Sequence, residues 1–133
     1  MAGRRRIWAI RMCSLIGPEA QGAHRALIAA ATDPQIGIRM CVATALAKTK
    51  IEPSIAVPVL MKLLEDQHSS VRPQAAIALG LYGEAARPAL PALRKMTSGS
   101  NDSEVFCARI GVALIETPGK VERTANDGYK LRQ

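Results

Sequence analysis

Val57–Gly83, VPVLMKLLEDQHSSVRPQAAIALGLYG, reads as two short helices placed back to back. Val57, Leu60, Leu63 and Leu64 fall at i, i+3, i+6 and i+7, one apolar stripe on a helix with a period of about 3.6 residues. The run Gln67-His68-Ser69-Ser70 carries no apolar residue and ends in hydroxyls suited to an N-cap, so the chain turns there and a second helix begins. That helix sets Val71, Ala75, Ala78, Leu79 and Tyr82 on one side. Gly80 and Gly83 mark its end, Gly83 as a left-handed C-cap.

Neither helix can bury its stripe alone, and a hairpin of about 27 residues is well below the size at which a chain folds unaided. The pattern must therefore recur, and it does. Moving back 33 residues places Asp33 under Asp66, Ile38-Arg39 under Val71-Arg72, and Ala43, Ala45 and Leu46 under Ala76, Ala78 and Leu79. Moving forward 33 places Pro91 and Leu93 under Pro58 and Leu60, and one residue more brings Val105, Gly111 and Ala113 near Val71, Ile77 and Leu79. A register 31 residues before Ile38 matches Ile7 and Leu15 to Ile38 and Leu46. A period of 31 to 34 residues with two helices per period is the signature of an all-α fold, an α-solenoid or superhelix of stacked antiparallel helix pairs. In each pair the first helix is called A and the second B.

The central phrase and LPALRKM at 90–96 resemble HEAT repeats, specifically the short HEAT-like repeats named after phycobilisome lyases. The resemblance covers roughly residues 4 to 117. In that family an Asp in the turn and an Arg early in helix B form a ladder between successive repeats. The resemblance implies this role for Asp33 with Arg39 and for Asp66 with Arg72. The third copy departs from the pattern: Ser100 and Phe106 stand at the two positions, which leaves the last rung open and reads as a terminal, capping copy.

Length bounds the chain to one domain, 1–117 being the solenoid of about three and a half repeats and 118–133 a polar tail. Hydrophobic residues make up 48% and aromatics only 3%, so the core is built from Ala, Leu, Ile and Val at close helix spacing, with no aromatic-lined pocket. Cys13, Cys41 and Cys107 are far apart, form no CxxC and have no histidine at metal-ligand spacing, which fits a reduced, cytoplasmic setting. The opening MAGRRRIWAIRMCSLIG puts charge before an apolar run but is not a signal peptide, because Arg11 interrupts the run and no small-x-small cleavage site follows. Ile7, Ile10, Cys13 and Leu15 match later B helices. The segment is thus a B helix whose A helix is missing: either the chain is a fragment of a longer solenoid, or its first helix exposes an apolar flank that a partner covers.

Pro18 to Ala31 is the first complete A helix, with Ala26, Leu27, Ala30 and Ala31 on its buried side, and Ile36 to Lys48 is its partner. Arg87 to Met96 is the third A helix, with Pro88 and Pro91 either inside its first turn or kinking it. TSGSND is a loop, and Asp102 or Ser103 caps the last B helix, Val105 to Glu116, which Pro118-Gly119 stops. The tail KVERTANDGYKLRQ lacks a helical stripe longer than one turn and reads as mobile or as a stub of further structure.

Catalytic constellations are missing. His24 and His68 make no His-Glu pair of the kind an iron hydroxylase needs, no Ser stands in GxSxG, and no glycine loop matches GxGxxG or a Walker loop. Cys41, between Met40 and Val42, reads as a packed thiol. No catalytic residue, metal ligand or cofactor is assigned, and no enzyme activity is expected.

The net charge of +7 is uneven: residues 1–50 hold eight basic and two acidic side chains, whereas residues 101–133 hold five of each. Arg4, Arg5, Arg6 and Arg11 could meet phosphates or an acidic protein surface. B-helix positions outside the packing register, Ala9, Ile10 and Cys13, then Met40, Cys41, Thr44 and Lys48, then Pro73, Gln74, Ile77 and Leu81, then Cys107, Ala108, Gly111 and Ile115, form a mostly apolar strip. Either that strip is a groove for a partner protein, with Met40, Thr44, Lys48, Gln74, Ile77 and Leu81 at its heart, or the side chains pack and the tail or further repeats cover them. The expected function is a non-catalytic protein-binding or scaffolding module acting through this face, without membrane contact. The alternative is a nucleic-acid-binding solenoid using the N-terminal arginines weakly and non-specifically.

Overall fold

The computed structural model describes residues 4, 8, 10, 11, 23–126 and 128–132. The helices are α1 His24–Ala30, α2 Ile36–Thr49, α3 Pro53–Leu64, α4 Val71–Leu81, α5 Leu90–Met96 and α6 Asp102–Glu116. A 3₁₀ segment, Gly83–Ala89, precedes α5. Helices α1, α3 and α5 are the A helices and α2, α4 and α6 the B helices. Each A helix packs on its B partner, and the B helices pack directly on one another, α2 with α4 and α4 with α6. The core runs without a break through all of them, from Leu27 through Ile38, Leu46, Leu60 and Leu79 to Leu93 and Ile115.

The central pair forms as its sequence requires. Val57, Leu60, Leu63 and Leu64 are buried on α3, and Val71, Ala75, Ala78 and Leu79 on α4. Pro53 opens α3 at a position whose N–H would have no helical partner. Ser70 does stand at the N-cap of α4, but its hydroxyl makes no capping bond. The turn is held instead by Asp66, whose carboxylate accepts the His68 N–H at 2.9 Å, and by His68 Nδ1, which accepts the Ser70 N–H at 3.2 Å.

Gly83, at φ +61°, takes the left-handed conformation past the end of α4. Gly80 does not end the helix. It lies buried within α4, where an added Cβ would stand 2.9 Å from the Cα of Gly111 on α6. The two glycines are there for close helix approach, which a helix-stop reading of Gly80 misses.

Elsewhere the chain departs from the sequence reading in identifiable ways. On α1 only Leu27 is fully buried, Ala30 and Ala31 pack partly, and Ala26 is exposed. Pro88 sits in the 3₁₀ segment and Pro91 in the first turn of α5, so neither kinks an α-helix. The α6 cap is Asn101, whose side chain accepts the Glu104 N–H at 3.2 Å, rather than Asp102 or Ser103.

The described chain is mostly helical, as the sequence leads one to expect, with one short hairpin added at the C-terminal end. Where the sequence suggests a mobile tail or a stub of further structure, a 3₁₀ turn at Pro118–Lys120 leads into an antiparallel hairpin, β1 Val121–Arg123 and β2 Tyr129–Leu131, in the register Val121↔Leu131 and Arg123↔Tyr129. The hairpin packs on α6. Three-residue strands give period-two alternation too few turns to register, but the Asn126-Asp127-Gly128 run between Arg123 and Tyr129 is a turn signal that marks it.

Candidate binding surface

Two sets of side chains singled out in the sequence come together in space, and they have different chemistry. The first is the ladder. Arg39 near the start of α2 donates from Nε and Nη2 to the Asp66 carboxylate at 2.7 and 3.1 Å, and from Nη1 to the Asp33 carbonyl at 2.8 Å. Each guanidinium thus clamps the turn of its own repeat and the carboxylate of the next. Arg72 repeats the arrangement, donating to the Asp66 carbonyl at 2.7 Å and to Glu104 Oε1 at 2.6 Å.

The pairs therefore run between repeats, Arg39 with Asp66 and Arg72 with Glu104, while Asp33 and Asp66 meet their own repeat's arginine through backbone carbonyls. The last rung does form. Glu104, in the first turn of α6, supplies the carboxylate that Ser100 cannot, a substitution hidden because it lies off the aligned position. Burial works against the charge of Asp66, but the bonds from Arg39 and the His68 N–H outweigh it and hold the carboxyl below the ordinary aspartate range. With its oxygens committed to these donors, Asp66 is a structural clamp.

The second set is the B-helix face. Thr44 and Lys48 of α2 and Gln74, Ile77 and Leu81 of α4 line one small hollow of about 150 Å³, together with Arg123 and Tyr129 of the hairpin. A wider, adjoining hollow of about 740 Å³ shares Lys48, Leu81, Arg123 and Tyr129 and adds Lys50, Pro53 and Tyr82. Leu81 is 45% exposed between them. Neither the hairpin residues nor Lys50 was singled out in the sequence, since period and register speak only for the helices.

The long apolar strip is corrected. Met40 lies against the core instead of lining the hollow, and Cys41 and Cys107 are also partly buried there. Ile10, Pro73, Ala108, Gly111 and Ile115 are buried. The physical reason is the Gly80–Gly111 approach, which draws α6 tightly onto α4 and turns the strip positions of α6 into packing positions. What remains is a two-helix hollow with the hairpin over it.

Tyr82 fixes the floor of that region. Its hydroxyl lies 2.7 Å from the carbonyl oxygens of both Leu46 and Ile51, sharing its one proton between the last turns of α2 and the connector that leads to α3. Burial pushes its pKa up to about 12. Burial likewise raises the thiols of Cys41, against a small opposing pull from the Arg11 charge, and Cys107, so both are protonated at neutral pH.

Of the N-terminal arginines, Arg4 and Arg11 are exposed and helical, whereas Arg5 and Arg6 lie outside the described residues, as do Ile7, Ala9, Cys13 and Leu15. Among the described residues no cluster of His, Cys, Asp and Glu is placed to hold a metal ion, and no helix is long and apolar enough to cross a membrane.

A family model described as HEAT repeats matches residues 26–106, more than half of the chain. No curated protein and no solved structure matches it.

Proposed function

The chain belongs to the HEAT-repeat family, and from that premise we propose that it is a non-catalytic protein-binding or scaffolding module whose partner docks on the face of α2 and α4. HEAT repeats commonly serve protein–protein contact, and one observation carries the reading to a place: five side chains from successive B helices, Thr44, Lys48, Gln74, Ile77 and Leu81, converge on a single hollow. The tight B-on-B contacts support a superhelix with this face on the inside of the curve, where repeat proteins present extended surfaces. The Arg39–Asp66 rung supports repeats of the short phycobilisome-lyase type. The half-buried, protonated thiols of Cys41 and Cys107 suit a reducing, cytoplasmic setting.

A photo-cross-linking residue placed at Gln74 tests the site, with the same residue at exposed Ser54 on α3 as the control. Irradiation in cells should trap a discrete protein from position 74 and not from 54, and Leu81→Glu should remove the product. Equal trapping from both positions, or none from 74, overturns the assignment of this face.

A further inference from the structure

The chain has a single tryptophan, and the fold holds it in the open. Trp8 is 66% exposed, more than any other large apolar side chain among the described residues. Residues 4, 8, 10 and 11 are helical. Ile10, two residues from Trp8 and so on the far side of the helix, is buried in the core that runs through the stack, which fixes how the segment is turned. The outward face carries Arg4 four residues before Trp8 and Arg11 three residues after it, a spacing that sets all three on one side. At a rise of about 1.5 Å per residue, the two arginine positions stand about 10 Å apart along the axis with the indole between them. No hydrogen bond or ion pair ties Arg4, Trp8 or Arg11 to another described residue. Acidic side chains are scarce in this half of the chain: of the two in residues 1–50, Asp33 is buried with its carboxylate accepting the Gln35 N–H, and Glu19 lies outside the described residues.

We propose that Arg4, Trp8 and Arg11 form a stacking platform for single-stranded nucleic acid, one base lying on the indole and the phosphates on either side of it meeting the two guanidinium groups. This site goes beyond the protein-binding reading, and none of its three residues lines the hollows of α2 and α4. An exposed aromatic ring alone is ordinary on a protein surface; the cation one turn to each side gives this one a ligand chemistry, since base stacking and phosphate neutralisation are the two parts of single-strand binding. A duplex fits less well, because its bases keep their faces on one another and only an unstacked base offers one to the indole. An acidic peptide satisfies the arginines, but its carboxylates are repelled by the negative face of the ring between them. A membrane surface is disfavoured as well: the apolar side of the helix, at Ile10, is directed into the core, which leaves one indole to enter lipid.

Trp8 is its own probe, because no other indole contributes to the emission. Titrating the full chain with a short oligothymidylate should quench Trp8 saturably, with a dissociation constant of about 1–100 µM at physiological salt. Anisotropy of the labelled oligonucleotide reads the variants, all at exposed positions. Trp8→Ala should weaken binding about tenfold and Trp8→Phe, which keeps a ring, only about two- to threefold. Arg4→Gln and Arg11→Gln should each flatten the slope of log affinity against log salt by about 0.7, while Lys48→Gln leaves it unchanged. A duplex of the same length should bind more weakly, and oligouridylate in place of oligothymidylate shows whether RNA or DNA is preferred. Absence of saturable quenching, unchanged affinity in Trp8→Ala, or a duplex held as tightly as the single strand overturns the proposal. Equal quenching by polyglutamate would assign the face to an acidic protein, and blue-shifted emission on phosphatidylserine vesicles without quenching by the oligonucleotides would assign it to a membrane surface; either result overturns it too.

Discussion

At the scale of single residues, two glycines and a tyrosine determine how closely the B helices approach. A methyl group on Gly111 would stand 2.7 Å from the carbonyl oxygen of Ala76, which is backbone and cannot swing aside. Gly111→Ala gains about 1 kcal/mol of helix propensity, yet forced displacement of a packed helix costs more, leaving a net loss of about 1–3 kcal/mol. Urea unfolding should show this loss, and Gly119→Ala, where nothing lies within 4 Å, should show almost none. Tyr82 adds a signature in alkali. Burial raises its pKa to about 12, so between its unfolded value and that point the native state binds the proton more tightly. Stability from this group is complete below pH of about 10 and is lost as pH rises through about 12. Tyr82→Phe should remove that alkaline contribution and cost about 1–2 kcal/mol at neutral pH, because the Leu46 and Ile51 carbonyls lose their shared donor. The sequence exposed Tyr82 as a packing residue, but the partners of its hydroxyl lie more than thirty residues away along the chain and carry no local signal.

At the scale of elements, the arginine rungs show where a repeat pattern is informative and where it stops. Asp66 and Arg39 were legible because period and family resemblance both pointed to them; Glu104 was not, since it reaches the same place from a helix instead of a turn. The rungs are partly buried, and removing one partner leaves the other charge poorly compensated. Asp66→Ala should therefore cost about 1.5–3 kcal/mol, with Arg39 losing its carboxylate and the His68 N–H its acceptor. The sign of the pH dependence follows from the lowered carboxyl. Its contribution is present above the unfolded aspartate pKa and disappears as pH falls through the depressed folded value. An acid titration of stability should be shallower in Asp66→Asn than in the parent chain, and an unchanged titration would show that Asp66 does not act as the clamp. The hairpin is the opposite case, an element whose position depends on α6 and whose strands are too short to announce themselves. It supplies Arg123 and Tyr129 to the hollow, so that part of the candidate site's wall was beyond a reading based on helical period.

At the scale of the whole molecule, each described pair packs mainly on its neighbours, and the core passes through the central pair, so damage there propagates to both ends. Leu79 is fully buried on α4, between the α2 and α6 contacts. Leu79→Ala should cost about 2–5 kcal/mol, a large part of a marginal total. Because no pair is stable alone, circular dichroism and tyrosine fluorescence should still report one coincident transition. Leu131 tests the other end of the molecule. It is half-buried and lines one shallow hollow with Val112 and Ala113 of α6, on which the hairpin packs. Leu131→Ala should cost well under the Leu79 value, about 1 kcal/mol. If Leu131→Ala matched Leu79→Ala in stability, the hairpin would be part of the cooperative core. If it cost nothing at all, the hairpin would not be held to the stack by this contact.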